Sequence, residues 1–378
     1  MPKILSGDMG PTAVYINHKN LLHNFNLIRE KVKPSKVMAV VKADAYGHGS
    51  TEVAKTLENE NVDYLAVAFP EEGIKLREAG IKRPVLVLGA QLTDFFQAMI
   101  DHKLEITITH LDQLKFLQNL TKESGKTAEI HIKVDTGMNR VGFYEAEYYQ
   151  ALEIVCSSKR IQLKGIYSHL SSADEDDTSY TQLQINRFNK LRQESEPFFT
   201  DEKPLFHLAN SAAIMHYPQA YFDLVRPGVM LYGNPPAPGF KTNWDIHEVM
   251  SFKSKIALIK NVGKNEPVSY SRRFYTSAET RIAIVPAGYA DGYNRKLTNK
   301  GEVLIKGKRF PVIGAVCMDQ ILVKIDNEPG IEVGEEVILF GSQGSQSIRI
   351  VEIAEKLETI PYEVTCWPSG RVNRIHLR

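Results

Sequence analysis

Lys42 stands where the apolar run Val37–Val41 stops, in the stretch VMAVVKADAYGHG (37–49). An amine held at the end of a buried strand, then followed by Asp44, Tyr46, two glycines and His48, is placed to capture an aldehyde or to move protons. Other polar residues close apolar runs in the same way. Lys133 and Asp135 end EIHIKV, His169 follows LKGIYS, Asn210 and Ser211 follow LFHL, and Arg226 follows YFDLV. In ANSAA (209–213) Ser211 can donate a hydroxyl where a helical stretch opens, or merely cap that helix. In RPGVMLYG (226–233) Gly228 lets a ligand approach the backbone closely. N–H groups at such a helix start suit phosphate.

The elements that must position these residues are short apolar runs separated by amphipathic stretches. The runs are 37–41, 64–68, 85–88, 105–108, 129–134, 163–168, 205–208 and 221–225, and helical spacing is predicted over 18–32, 71–80, 111–122 and 181–193. The same alternation could build a doubly wound open sheet. The count of eight favours a parallel (β/α)8 barrel, whose reactive residues sit at the C-terminal ends of its strands. All the polar residues above fall on that rim. After Gly233 the proline-rich NPPAPGF (234–240) reads as a linker, and short strand-like runs follow, interrupted by one helix over 349–359. The expected organisation is a barrel domain over 12–240 and a mostly-β domain over 241–378, joined by 1–11. The strand-like AVYI (13–16) could pair with either.

Composition narrows the class without naming a reaction. With 46 Lys plus Arg against 45 Asp plus Glu, nothing points to nucleic acid or an anionic membrane. Cys156, Cys317 and Cys366 are scattered without a CxxC, against a disulfide scaffold or a zinc site. No signal-peptide core or membrane-length apolar run is present, so a cytoplasmic enzyme that binds no metal is expected. A strand-end lysine facing a phosphate cradle suits pyridoxal 5'-phosphate (PLP), which needs an imine lysine, a phosphate site and a partner for its ring nitrogen.

Eight ordered blocks sharpen this. AVVKADAYGHG, HIKVDTGMNRVGF, GIYSHLSSAD, HLANSAA, VRPGVMLYG, VSYSRRF, PAGYADGYNR and GAVCMDQ, between residues 39 and 320, resemble the signatures of the alanine racemase family. The resemblance implies a homodimer, head to tail with shared sites, that interconverts L- and D-alanine by a two-base mechanism and supplies D-alanine for peptidoglycan. It implies that Lys42 carries PLP as a covalent aldimine and acts as base on one face. Tyr46, Ser211, Gly228 and Val229 match phosphate contacts, with Asn210 beside them. Arg140 matches the arginine at the pyridine hydroxyl, and Lys133 a lysine often carbamylated, which would hold Arg140 where a cationic lysine would repel it. Arg226 matches the arginine facing the ring nitrogen; being effectively always charged, it disfavours a proton there and favours return of a proton to Cα. His169 matches a residue that orients these neighbours.

A second proton-transfer group must serve the opposite face, because one base returning its own proton mostly regenerates the starting enantiomer. Tyr270 matches that group, supplied by the β domain of the other subunit. A phenol's ordinary pKa of about 10 requires cationic or imidazole neighbours for this task. Met318 and Arg140 match the substrate-carboxylate contacts, Asp319 accompanies Met318, and Asp174, Tyr289 and Arg295 match the entry corridor. Two positions depart from the family pattern. Gly370 stands where a tyrosine is common and Ala315 where an arginine is common, so a wider pocket that admits serine is expected. Two other readings stay open on the residues: a barrel amino-acid decarboxylase, and a non-enzymatic PLP carrier, which would lack the β domain.

Overall fold

The computed structural model describes residues 10–199, 202–326 and 328–378. Strand β1 (Ala13–Asn17) and the helix His18–Lys31 precede eight parallel strands: β2 (Lys36–Val40), β3 (Tyr64–Val67), β4 (Val85–Val87), β5 (Glu105–Ile108), β6 (Ala128–Lys133), β7 (Ile161–Tyr167), β8 (Leu205–His207) and β9 (Leu224–Val225). Their spatial order is β8-β7-β6-β5-β4-β3-β2-β9. The seam between β8 and β9 is bridged by Asp223 N–H to Phe206 O (3.0 Å), Phe206 N–H to Asp223 Oδ2 (2.8 Å) and Arg226 N–H to Ala209 O (3.0 Å). This is the expected (β/α)8 barrel and not an open sheet.

The strands read as continuous apolar runs because helices cover their outer faces while neighbouring strands fill the interior. The covering helices each bury one stripe: Leu111–Ser124 buries Gln113, Leu114, Leu117 and Thr121, and Ser179–Ser195 buries Thr181, Gln184, Ile185, Phe188, Leu191 and Ser195.

The chain divides into two compact units. One comprises Leu22–Leu231 with Lys241–Asp245, and the other the described residues up to Leu21, Tyr232–Phe240 and Ile246–Arg378. Of the segment 1–11 expected in the β domain, residues 1–9 lie outside the described residues. β1 belongs to the second unit, where it pairs antiparallel with Met250–Lys255 and parallel with Asn373–Leu377. The proline-rich stretch is no solvated linker, since Asn234, Pro235 and Pro236 are buried.

The second unit is mostly β. Its largest sheet orders Lys308–Pro311, Glu302–Ile305, Glu336–Gln343, Met250–Lys255, β1 and Asn373–Leu377, with Gln346–Ile348 paired to Glu336–Gln343. A three-stranded sheet joins Leu258–Val262, Thr280–Val285 and Ile321–Lys324. The short ribbon Pro267–Val268/Phe274–Tyr275 carries Tyr270 in its turn. Val268 and Phe274 pack with Ile282 and Ile313, which anchors that ribbon to the sheet. Two helices, Ile350–Lys356 and Pro361–Cys366, follow near the end.

Candidate active site

Lys42 leaves β2 into an unusual turn. Ala43, Asp44, Ala45 and Tyr46 all have φ between 51° and 55°, a left-handed helical turn built from non-glycine residues. Such backbone costs on the order of 1–2 kcal/mol per L-residue and persists only where the surroundings enforce it. Here Ala45 N–H donates to Val41 O (2.9 Å) and Gly47 N–H to Ala43 O (2.9 Å). Glu72 pins the turn from outside, with Oε1 accepting from Ala43 N–H (2.6 Å) and Oε2 from Ala68 N–H (2.7 Å). Asp44 Oδ1 accepts from Ser50 N–H (2.9 Å) and so starts the next helix. The half-buried Lys42 therefore opens a rigid turn that Tyr46 closes.

Tyr46 ends that turn against Gly228. A Cβ on Gly228 would lie 2.5 Å from the Tyr46 hydroxyl, so only glycine lets the phenol reach this place. Ser211 Oγ accepts from Gly228 N–H (2.9 Å) and Met230 N–H (3.4 Å), which leaves its own proton to donate. Asn210 Oδ1 caps the helix Ser211–His216 by accepting from Ala213 N–H (3.0 Å). Val229 opens a 3-10 turn, Val229–Tyr232. Tyr46, Asn210, Ser211, Gly228 and Val229 thus meet in one cradle of hydroxyls and N–H groups.

Cations surround the same rim. Arg226 is buried, its Nη1 donating to His207 Nδ1 (2.8 Å) and His207 O (2.9 Å), and its Nη2 to Ser168 O (2.6 Å) and Leu208 O (2.9 Å). Burial lowers its pKa to about 10, which still leaves it charged at neutral pH. Lys133 is buried and its ammonium lies 5.1 Å from the Tyr167 ring centroid. Burial first, and then Arg226, push its pKa down to about 7. His169 is held well below the ordinary imidazole range, by burial and then by Arg226, Lys133, Arg140 and Lys42 in turn. Four cations from β2, β6, the loop after β6 and β9 therefore act on one imidazole.

Asp135 is the carboxylate among them. Burial disfavours its charge, but N–H groups of Gly137, Asn139 and Arg140 outweigh that and keep it ionised. These bonds fold the loop back, with Phe143 N–H returning to Lys133 O (2.9 Å), and leave the Arg140 side chain exposed. Asp174 is exposed on the loop after β7. A mouth with this excess of positive charge, beside a cradle that a single Cβ would fill, fits a phosphate-bearing group and a substrate carboxylate.

The remaining expected residues lie in the β unit. Tyr270 is 69% exposed and Met318 52%, with Tyr289 and Arg295 also exposed. Ser269 and Ser271, which flank Tyr270, have φ of 66° and 60°, and Ser269 Oγ donates to Ala315 O (2.7 Å). Tyr289 N–H donates to Cys317 O (3.0 Å) and Ala290 N–H to Met318 O (3.0 Å), so these segments form one surface. Asp319 Oδ1 accepts from Arg371 Nη1 (2.8 Å). A Cβ on Gly370 would meet nothing within 4 Å, and Ala315 is buried. The structure therefore gathers Lys42, Tyr46, Lys133, Arg140, His169, Asn210, Ser211, Arg226, Gly228 and Val229 on the barrel rim, and groups Tyr270, Tyr289, Met318 and Asp319 on the β unit.

Sequence reasoning passed over Glu105, His131 and His207. They stand inside runs treated as apolar, and an acid and two imidazoles interrupting barrel strands were the available signal.

A (β/α)8 barrel whose strand ends present an amine, several cations and a cradle of hydroxyl and N–H groups has the architecture of a barrel enzyme. Comparison with known proteins makes the family specific. Residues 16–236 match the alanine racemase N-terminal domain and 249–376 the alanine racemase C-terminal domain. A relative named alanine racemase 2, from Caldanaerobacter subterraneus subsp. tengcongensis, is 43% identical over 98% of this chain and 96% of that protein. The alanine racemase structure from Clostridium difficile 630 is 40% identical with a TM-score of 0.92, covering 98% of this chain and 96% of that one. The Bacillus anthracis alanine racemase, solved with bound L-Ala-P, is 34% identical with a TM-score of 0.91, covering 99% of this chain and 96% of that one. The chain belongs to the alanine racemase family and is an enzyme of that class.

Proposed function

We propose that the protein interconverts L- and D-alanine with PLP as its cofactor, in the cytoplasm, and supplies D-alanine for peptidoglycan. The observation that carries this reading is the convergence of Lys42, Lys133, Arg140 and Arg226 on His169 beside the Tyr46–Ser211–Gly228 cradle. Lys42 would hold the cofactor's aldehyde, and Tyr46, Ser211 and the N–H groups of the Gly228–Val229 turn its phosphate. Bound PLP supplies an electron-withdrawing ring that acidifies the α C–H of the amino acid. The Nη protons of Arg226 are taken by His207, Ser168 and Leu208, so Nε–H is the donor it can offer the ring nitrogen. A guanidinium there disfavours a ring proton and limits side reactions.

Proton balance needs two groups. For one enantiomer Lys42 would accept the proton leaving Cα on its face while Tyr270 delivers its phenolic proton to the other; for the opposite enantiomer the two exchange roles. Arg140 and the Met318 backbone N–H would hold the substrate carboxylate, with Asp319 beside them and Asp174, Tyr289 and Arg295 at the entry. The exposure of Tyr270, Tyr289 and Met318 supports their burial against a second copy in a head-to-tail homodimer. Carbamylation of Lys133 is part of the reading: a buried amine with pKa about 7 is neutral about half the time at neutral pH and then nucleophilic toward CO2, and the carbamate's charge would hold Arg140. Among the described residues no helix is long and apolar enough to cross a membrane. The test is D-alanine formation from L-alanine by PLP-loaded protein. Tyr270→Phe is expected to abolish L-to-D turnover, and undiminished turnover would remove the two-base assignment.

A further inference from the structure

Arg226 does not end the polar chemistry of the barrel; it begins a buried chain that crosses the interior. Its Nη1 lies 2.8 Å from His207 Nδ1, His207 Nε2 lies 2.9 Å from His131 Nδ1, and His131 Nε2 lies 2.7 Å from Glu105 Oε2. All four residues are at most 3% exposed. An arginine only donates, so His207 Nδ1 must accept and the His207 proton sits on Nε2. His131 Nδ1 must then accept as well, so its proton sits on Nε2 and points at Glu105. A second proton on either ring would set two donors face to face. The geometry therefore fixes a guanidinium and two neutral imidazoles with aligned N–H bonds, which end on Glu105 as an acceptor.

The surroundings hold this arrangement. Tyr167 stacks on His207 at 4.8 Å and 11°, and its hydroxyl is fixed by Thr107 Oγ1 (2.9 Å) and Leu88 O (2.9 Å). Gly165 on β7 makes room for His131, since a Cβ there would lie 2.4 Å from Nδ1. The β6–β7 register shifts between Ile130 and His131, beside this contact.

We propose that Glu105 is a positioning residue of Arg226, acting through His131 and His207. A buried cation is costly unless paired, and Arg226 donates the hydrogen bonds shown above to an imidazole and neutral carbonyls. Glu105, which also interacts with Arg77, anchors two rings that polarise in series and fix the guanidinium's orientation. The consequence for catalysis rests on the proposed role of Arg226 at the ring nitrogen, whereas the proton arrangement rests on the protein alone.

The test uses PLP-loaded enzyme with histidine labelled in its ring nitrogens. The 15N spectrum is expected to show His131 and His207 as neutral Nε2–H tautomers; an Nδ1–H tautomer or an imidazolium at either overturns the proposal, even if no variant folds. Glu105→Gln keeps an acceptor and removes the charge. It is expected to move the His207 resonances, two hydrogen bonds away, and to lower kcat for alanine about tenfold, as loss of an outer partner of a functional histidine does, with KM little changed. Gly165→Ala, which displaces His131 with Glu105 intact, is expected to give the same pattern. His207 resonances that stay in place in folded Glu105→Gln overturn the proposal whatever the rate. Failure of the racemase reading shows separately, as wild-type enzyme that forms no D-alanine while the tautomers stand as assigned.

Discussion

Gly228→Ala tests the cradle with one methyl group. The new Cβ would sit 2.5 Å from the Tyr46 hydroxyl and 3.2 Å from Cζ, so the phenol must withdraw by about 0.9 Å to reach ordinary contact at 3.4 Å. The backbone of Tyr46 cannot follow, because residues 43–46 are locked in the left-handed turn by Glu72 and by the Gly47 N–H to Ala43 O bond. A hydrogen bond of ordinary length from Tyr46 to phosphate stretches beyond useful range under such a shift. Bonds to charged groups contribute roughly 1.5–3 kcal/mol, so PLP affinity should fall by a factor of about 10 to 150. The φ of Gly228 is not in the left-handed region, so alanine adds no backbone strain and the cofactor-free Tm should change little. Kd for PLP, from titration of the visible absorbance, is the assay. Tyr46→Phe should lose a similar amount, and the double variant little more than either single one, because both remove the same contact. An unchanged Kd in Gly228→Ala, or fully additive losses, would refute the cradle.

Other expectations follow from the same rim. Lys133 has a folded pKa of about 7 against about 10.4 for an unfolded lysine. Between these values the unfolded chain carries the proton and the folded chain does not, so stability rises with pH across that window and falls on acidification toward 7. Lys133→Met should flatten this slope, removing at most about 5 kcal/mol of pH dependence; parallel Tm profiles from pH 7 to 10 in CO2-free buffer would contradict the burial argument. With 13C-bicarbonate, wild-type enzyme should show a carbamate resonance that Lys133→Met lacks. The open space at Gly370 predicts higher turnover of serine relative to alanine than in Gly370→Tyr; equal ratios would remove the wider pocket.

The barrel and most of its rim were legible because the signals are local. Apolar runs end where strands leave the interior, so Lys42, Lys133, His169, Ser211 and Arg226 could be placed on one rim from strand order alone. The left-handed turn at 43–46 was not legible. Alanine, aspartate and tyrosine carry no preference for positive φ strong enough to announce it, and Glu72, about 30 residues on, enforces it. The proline-rich 234–240 looked like a tether because composition cannot show that its first residues are buried.

The polar chain inside the barrel marks the division most clearly. By itself the sequence determined that an acid and two histidines interrupt otherwise apolar strands. Glu105 is 26 residues from His131, His131 is 76 from His207, and His207 is 19 from Arg226. Only closure of the sheet brings β5, β6, β8 and the end of β9 around one interior, where the hydrogen-bonded chain from Arg226 to Glu105 crosses the barrel. The strands follow from local pattern, but which side chains meet inside is set by strand order and register, which no local signal encodes.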